Sequence, residues 1–101
     1  MSLTVVARNA TSSIELPKTF NYSNHKEFKS AYSRLLEDQA VSEVEVDFRL
    51  TSYIDSAALG MLLMLRSCAE AAGKSVALIN AGGTVRDILE IAHFETLFAF
   101  R

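Results

Sequence analysis

Residues 42 to 80 place a strand pattern, a long apolar helix pattern and a second strand pattern in direct succession. This run restricts the fold more than any other part of the chain. In SEVEVDFR, Val44, Val46 and Phe48 alternate with Glu45, Asp47 and Arg49, the period of two expected of a β-strand with one wet face. From Ala57 to Leu65 every residue is apolar or Gly, and the pattern runs on through CAEAAGK to Gly73, which is placed to end a helix, with Lys74 to complement its negative end. A helix over 56–72 follows. SVALIN is again β-prone and ends at Asn80. Two such strands flanking one helix are joined by a right-handed crossover and lie parallel, so the fold class is α/β.

The flanking segments complete a mixed sheet of four to five strands with three main helices packed on it. Residues 3–8 and 12–16 are β-prone runs separated by Asn9-Ala10-Thr11, which suits a hairpin. In HKEFKSAYSRLLE, Phe28, Ala31, Tyr32, Leu35 and Leu36 recur at helical spacing, giving a helix over about 24–38 with Ser23 or Asn24 as its cap. Lys26, Lys29, Arg34 and Glu37 form its solvated face. Thr84 is placed to cap a third helix carrying Val85, Ile88, Leu89 and Ile91, and TLFAF closes the sheet as a strand. Phe94, Leu97, Phe98 and Phe100 are expected to complete the core. No linker or low-complexity tract interrupts the 101 residues, so one domain over 1–101 is expected.

Composition narrows the classes of function. Half of the residues are hydrophobic, enough for a core without disulfides or metal, and the net charge of −2 gives no pull toward nucleic acid or an anionic membrane surface. The apolar run stops at Arg66, short of the roughly 18 residues that span a bilayer. A single Cys and no signal-peptide pattern at the start make a cytoplasmic location the expectation. Cys68, inside a helix without a basic neighbour in sequence, reads as a small buried hydrophobe. His25 and His93 lie far apart with no acidic or thiol ligand at metal spacing, so neither a metal nor a cofactor is expected.

Asp55 and Ser56 stand at the entrance of the central helix. Either residue type caps helices by accepting a hydrogen bond from a free N–H of the first turn. A Ser nucleophile needs an adjacent base, and DSAALG is not the Gly-x-Ser-x-Gly elbow of hydrolases, so no catalytic residue is assigned. On a wheel of about 100° per residue, Ala58, Met61, Leu62, Leu65, Ala69 and Ala72 face the sheet. Gly60, Leu63, Met64 and Ser67 fall opposite, with Ser56 above them. That side is either buried by neighbouring helices or an apolar recognition surface with a hydroxyl at its edge. A phosphate on Ser56 would be held by the free N–H groups of the helix end and would set almost two negative charges at that edge.

The stretch YIDSAALGMLLMLRSCAEAAGKSVALINAGGTVRDILEIAHFETLF, above all Asp55-Ser56 followed by Leu59-Gly60, resembles the STAS domain of bacterial anti-sigma factor antagonists. The resemblance implies that Ser56 is a regulatory phosphorylation site. It implies that Asp55, Ser56, Ala57, Gly60, Leu63 and Met64 form a docking surface for an anti-sigma factor/serine kinase of the histidine-kinase-like ATPase type. A PP2C-type phosphatase would reverse the modification. Two departures stand out: Lys18-Thr19-Phe20-Asn21 lacks the acidic residue that many relatives carry before the first helix, and Asp55-Ser56-Ala57-Ala58 leaves one hydroxyl in the loop. FNYSNHKEFKSAYSRL is similar to single-domain relatives that control biofilm or secretion, which gives the alternative of a scaffold that does not act on a sigma factor. A third reading, an enzyme handling a small phosphorylated ligand, has no motif behind it.

Overall fold

The computed structural model describes residues 3–101. Strands β1 (Thr4–Arg8) and β2 (Thr11–Glu15) form the hairpin, with Asn9 in the left-handed region at φ 55° to make the reversal. A two-residue strand β3 (Thr19–Phe20) leads through a single 3-10 turn (Tyr22–Asn24) into helix α1 (His25–Glu37). Next come β4 (Glu43–Asp47), the two-residue β5 (Tyr53–Ile54), α2 (Ser56–Ala71), β6 (Ser75–Ile79), α3 (Gly83–Ile91), a 3-10 turn (Phe94–Thr96) and β7 (Ala99–Phe100). The main sheet has the order β1-β2-β4-β6-β7, antiparallel only at the hairpin and parallel elsewhere. A separate parallel ladder joins β3 to β5, pairing Phe20 with Ile54.

Register decides what each face of the sheet carries. Ile14, Val46, Leu78 and Phe100 are successive partners and point to one side. Ser13, Glu45 and Ala77 point to the other. The contiguous core draws its sheet residues from the first face, where Ile14, Val44, Val46 and Leu78 meet Phe28 and Tyr32 of α1, Leu62 and Leu65 of α2, and Val85 and Leu89 of α3. Ala58, Met61, Leu62, Leu65 and Ala69 are buried along α2, as the helical spacing requires, whereas Ala72 at its end is exposed.

The strand over 44–48 departs from the expectation of one wet face. Glu45 and Asp47 are each only 8% exposed. β4 is the central strand, so neighbours on both sides close over its polar side chains. Glu45 accepts from Arg8 at 2.6 Å and from the Ser13 hydroxyl at 2.8 Å, and Asp47 accepts from the Asn80 amide at 3.0 Å and the Arg49 N–H at 2.9 Å. These bonds satisfy carboxylates that would otherwise be costly to bury.

Four local expectations are refined. Asn24 stands at the N-cap of α1, as expected, but its side chain makes no capping bond to that helix: the Asn21 side chain caps the preceding 3-10 turn, and the Asn24 side chain accepts in return from the Asn21 N–H at 3.1 Å. Gly82, not Thr84, precedes α3, whose first residue Gly83 has φ +56°, a conformation that a β-branched residue resists. Gly73, at φ 72°, ends α2 as expected; the Lys74 backbone N–H donates to the Ala69 carbonyl at the α2 terminus, while its ammonium donates to the carbonyls of Asp38 and Val41 in the loop after α1. In TLFAF only Ala99–Phe100 is strand, and Leu97 is 38% exposed while Phe94 and Phe98 are buried.

Candidate functional site

The short β3–β5 ladder sets up the site. Because Phe20 and Ile54 are paired and buried, the residues that follow them, Asn21 and Asp55, leave the ladder together, and each caps the helical segment after it. Asp55 has an extended backbone, and its Oδ1 accepts from the Ala58 N–H at 2.9 Å. The capping role thus belongs to the acid. Ser56, the first residue of α2, is exposed and takes no part in the cap.

The outer side of α2 is open. Gly60 and Ser67 are exposed, as are Leu63 at 41% and Met64 at 58%. Ala57, Gly60 and Met64 turn toward α1, where they line a cleft with Tyr22, His25 and Lys29 on its far side. Leu63 lies outside that cleft. All six residues expected at the docking surface therefore lie on about the first two and a half turns of α2 or at its cap, three of them on the α1 side.

Tyr22, His25 and Lys29 were not legible as site residues. His25 stacks on Tyr22 with ring centroids 5.1 Å apart, and Tyr22 is 65% exposed. Lys29 belongs to the exposed face of α1 by its spacing. The recurrence of an apolar residue followed by a capping residue, Phe20-Asn21 and Ile54-Asp55, is the pattern that pairs the two helix starts.

Deeper between the helices, burial and the neighbouring Cys68 push the Tyr32 phenol above its ordinary pKa, so it stays neutral. Cys68 is half-buried. On the other side of α2, Arg66 donates from Nε to the Leu97 carbonyl at 2.8 Å and fixes the turn that follows α3. Among the described residues, no group of three or more His, Cys, Asp or Glu is placed to hold a metal ion. None of the described helices is long and apolar enough to cross a membrane.

A mixed sheet whose core face carries three helices, with α2 capped by Asp55 and opened by an exposed Ser56, is a fold with known counterparts. The family model described as Mlab, STAS domain matches residues 3–99, and the chain belongs to the STAS domain family. It is 39% identical over 87 residues to the STAS-domain containing protein PA14_20770 of Pseudomonas aeruginosa (strain UCBPP-PA14), a match covering 84% of this chain and 82% of that protein. Its fold is similar to that of the anti-sigma factor antagonist SpoIIAA in its unphosphorylated form, with TM-score 0.77, 19% identity, and 99% of this chain and 87% of that chain covered. The phosphorylated form of the Bacillus cell fate determinant SpoIIAA gives TM-score 0.75 at 18% identity, covering 99% and 91% of the two chains. An anti-sigma factor antagonist from Mycobacterium paratuberculosis gives TM-score 0.84 at 11% identity, covering 98% and 83%.

Proposed function

We propose that this chain is an anti-sigma factor antagonist, a cytoplasmic single-domain switch that binds rather than catalyses. With Ser56 unmodified, the outer side of α2 docks an anti-sigma factor/serine kinase of the histidine-kinase-like ATPase type, using Asp55, Ser56, Ala57, Gly60, Leu63 and Met64. Phosphorylation of Ser56 by that partner ends docking, and a PP2C-type phosphatase restores it.

The division of labour at the start of α2 carries this reading. Asp55 holds the helix end, and Ser56 is exposed at the positive end of the helix dipole, about two turns before the exposed Leu63 and Met64. A phosphate can sit there without breaking the cap. It adds close to two negative charges at the edge of an apolar contact, where repulsion and desolvation of about 3 kcal/mol lower affinity roughly a hundredfold.

The test is binding of the purified chain to the anti-sigma kinases of its own genome, with Ser56→Ala and Ser56→Asp compared with the unsubstituted chain. Ser56→Ala should bind as the parent does and Ser56→Asp should lose most of its affinity; equal binding by all three removes the switch. One observation favours a second reading, a scaffold in a biofilm or secretion assembly: position 21 carries no acid, and the Asn21 side chain is occupied by the Ser23 N–H and hydroxyl. Ser56 found unmodified by mass spectrometry in every growth state would favour the scaffold.

A further inference from the structure

The cleft between α1 and the N-terminal half of α2 has a volume of about 270 Å³. That is at the lower end of the roughly 300 to 1,000 Å³ of pockets that bury a drug-sized molecule, and it is ample for a single side chain. Its floor is apolar. Its walls carry two groups able to hold positive charge, His25 and Lys29, and no carboxylate lines it. Asp55, the acid next to it in sequence, is committed to the Ala58 N–H.

Gly60 is the second observation. It lies in the interior of α2, where Gly costs about 1 kcal/mol relative to Ala. Packing does not require it, because a Cβ there would meet nothing within 4 Å, and its backbone is ordinary helix. A side chain at 60 would instead project over the cleft. Glycine therefore keeps the mouth open, which serves a group that enters from outside and has no use within the fold.

Resting on the docking function proposed above, we propose that the cleft receives one apolar side chain of the partner protein, and that an acidic residue next to it in the partner meets Lys29. Ala57 lines the cleft and follows Ser56 directly, so a phosphate on Ser56 sets its charge against that acid. The basic rim thus selects the partner, and the same geometry makes its docking sensitive to modification.

The isotope-labelled full chain titrated with acetyl-Ala-Phe-Asp-Glu-amide tests this by NMR. Saturable shifts are expected at the amides of Lys29, Ala57, Gly60 and Met64. Acetyl-Ala-Phe-Lys-Lys-amide and acetyl-Ala-Ala-Asp-Glu-amide should give none. Gly60→Leu should abolish binding while melting no lower than the parent, which separates a blocked cleft from a damaged fold. Lys29→Glu should weaken binding by roughly fivefold or more. The proposal is overturned if no saturable shift appears up to about 10 mM peptide, the range of very weak binding. It is also overturned if the basic peptide binds equally, or if Gly60→Leu binds as the parent does. Failure here, with kinase binding still responding to Ser56 variants, leaves the switch intact. Peptide binding that Ser56→Asp does not weaken, in a chain whose kinase binding also ignores position 56, keeps the cleft and removes the switch.

Discussion

Replacing Asp55 by Ala deletes one acceptor at a defined place. Asp55 has φ −107° and ψ 178°, which aims Oδ1 at the Ala58 N–H 2.9 Å away. Loss of such a cap costs about 1 kcal/mol. For a chain of 101 residues that lowers Tm by about 4–8 °C. The Ala58 N–H also contacts the Asp55 carbonyl at 3.1 Å, a backbone interaction the substitution leaves in place, so the loss should stay under about 2 kcal/mol. Asp55→Asn keeps an acceptor and drops the charge, which isolates the helix-dipole contribution of about 0.3–1 kcal/mol. Ser56→Ala, at an exposed position outside the cap, should shift stability by no more than about 0.5 kcal/mol. Thermal and urea melts followed by far-ultraviolet circular dichroism read all three. An Asp55→Ala protein that melts with the parent refutes the capping argument. A Ser56→Ala protein that falls as far as Asp55→Ala makes the serine structural and ends the separation of roles.

Leu65→Ala removes a side chain with no exposed surface and should cost about 2–5 kcal/mol, read by urea denaturation; a loss below about 1 kcal/mol would mean the core closes over the void. Glu45→Ala leaves the buried Ser13 hydroxyl without its carboxylate, but Arg8 and Arg101 are about half exposed and can turn to water, so a loss of about 1–2 kcal/mol is expected from the same melts. Hydrogen bonding from Arg101 is the largest cause holding the Glu43 carboxyl below its ordinary pKa. Stability from this pair is therefore complete above the ordinary carboxylate range and is lost as pH falls through the lowered value. The gap between the parent and Arg101→Ala should close in acid; a gap constant from neutral into the acid range would assign it to packing.

Local pattern revealed most of the architecture. The alternation of Val44, Val46 and Phe48 and the stripe from Ala58 to Ala69 depend on neighbours within two turns, and these elements lie where periodicity puts them. The outward side of α2 was legible for the same reason, although whether Leu63 and Met64 were covered depended on where α1 and α3 packed. The wetness of Glu45 and Asp47 was not legible, since it depends on β4 becoming the central strand. The cap of the first helical segment was missed because a 3-10 turn moves it back to Asn21. The β3–β5 ladder has two residues per strand, too short for any period, and joins positions 34 residues apart. With it went the cleft, because only the long-range packing of α1 on α2 brings Tyr22, His25 and Lys29 opposite Ala57 and Gly60.

Lys74 has a practical bearing on how such a molecule can be handled. Its bonds to the carbonyls of Asp38 and Val41, with the Ser42 N–H on the Ala10 carbonyl and the Ser75 N–H on the Ser42 carbonyl, sew the loops together where the parallel strands begin. Ser56 sits where they finish, beyond β5. Gln39, exposed in the sewn region, is accordingly a place to attach a dye or a surface tether that reports on traffic at the far pole without disturbing it.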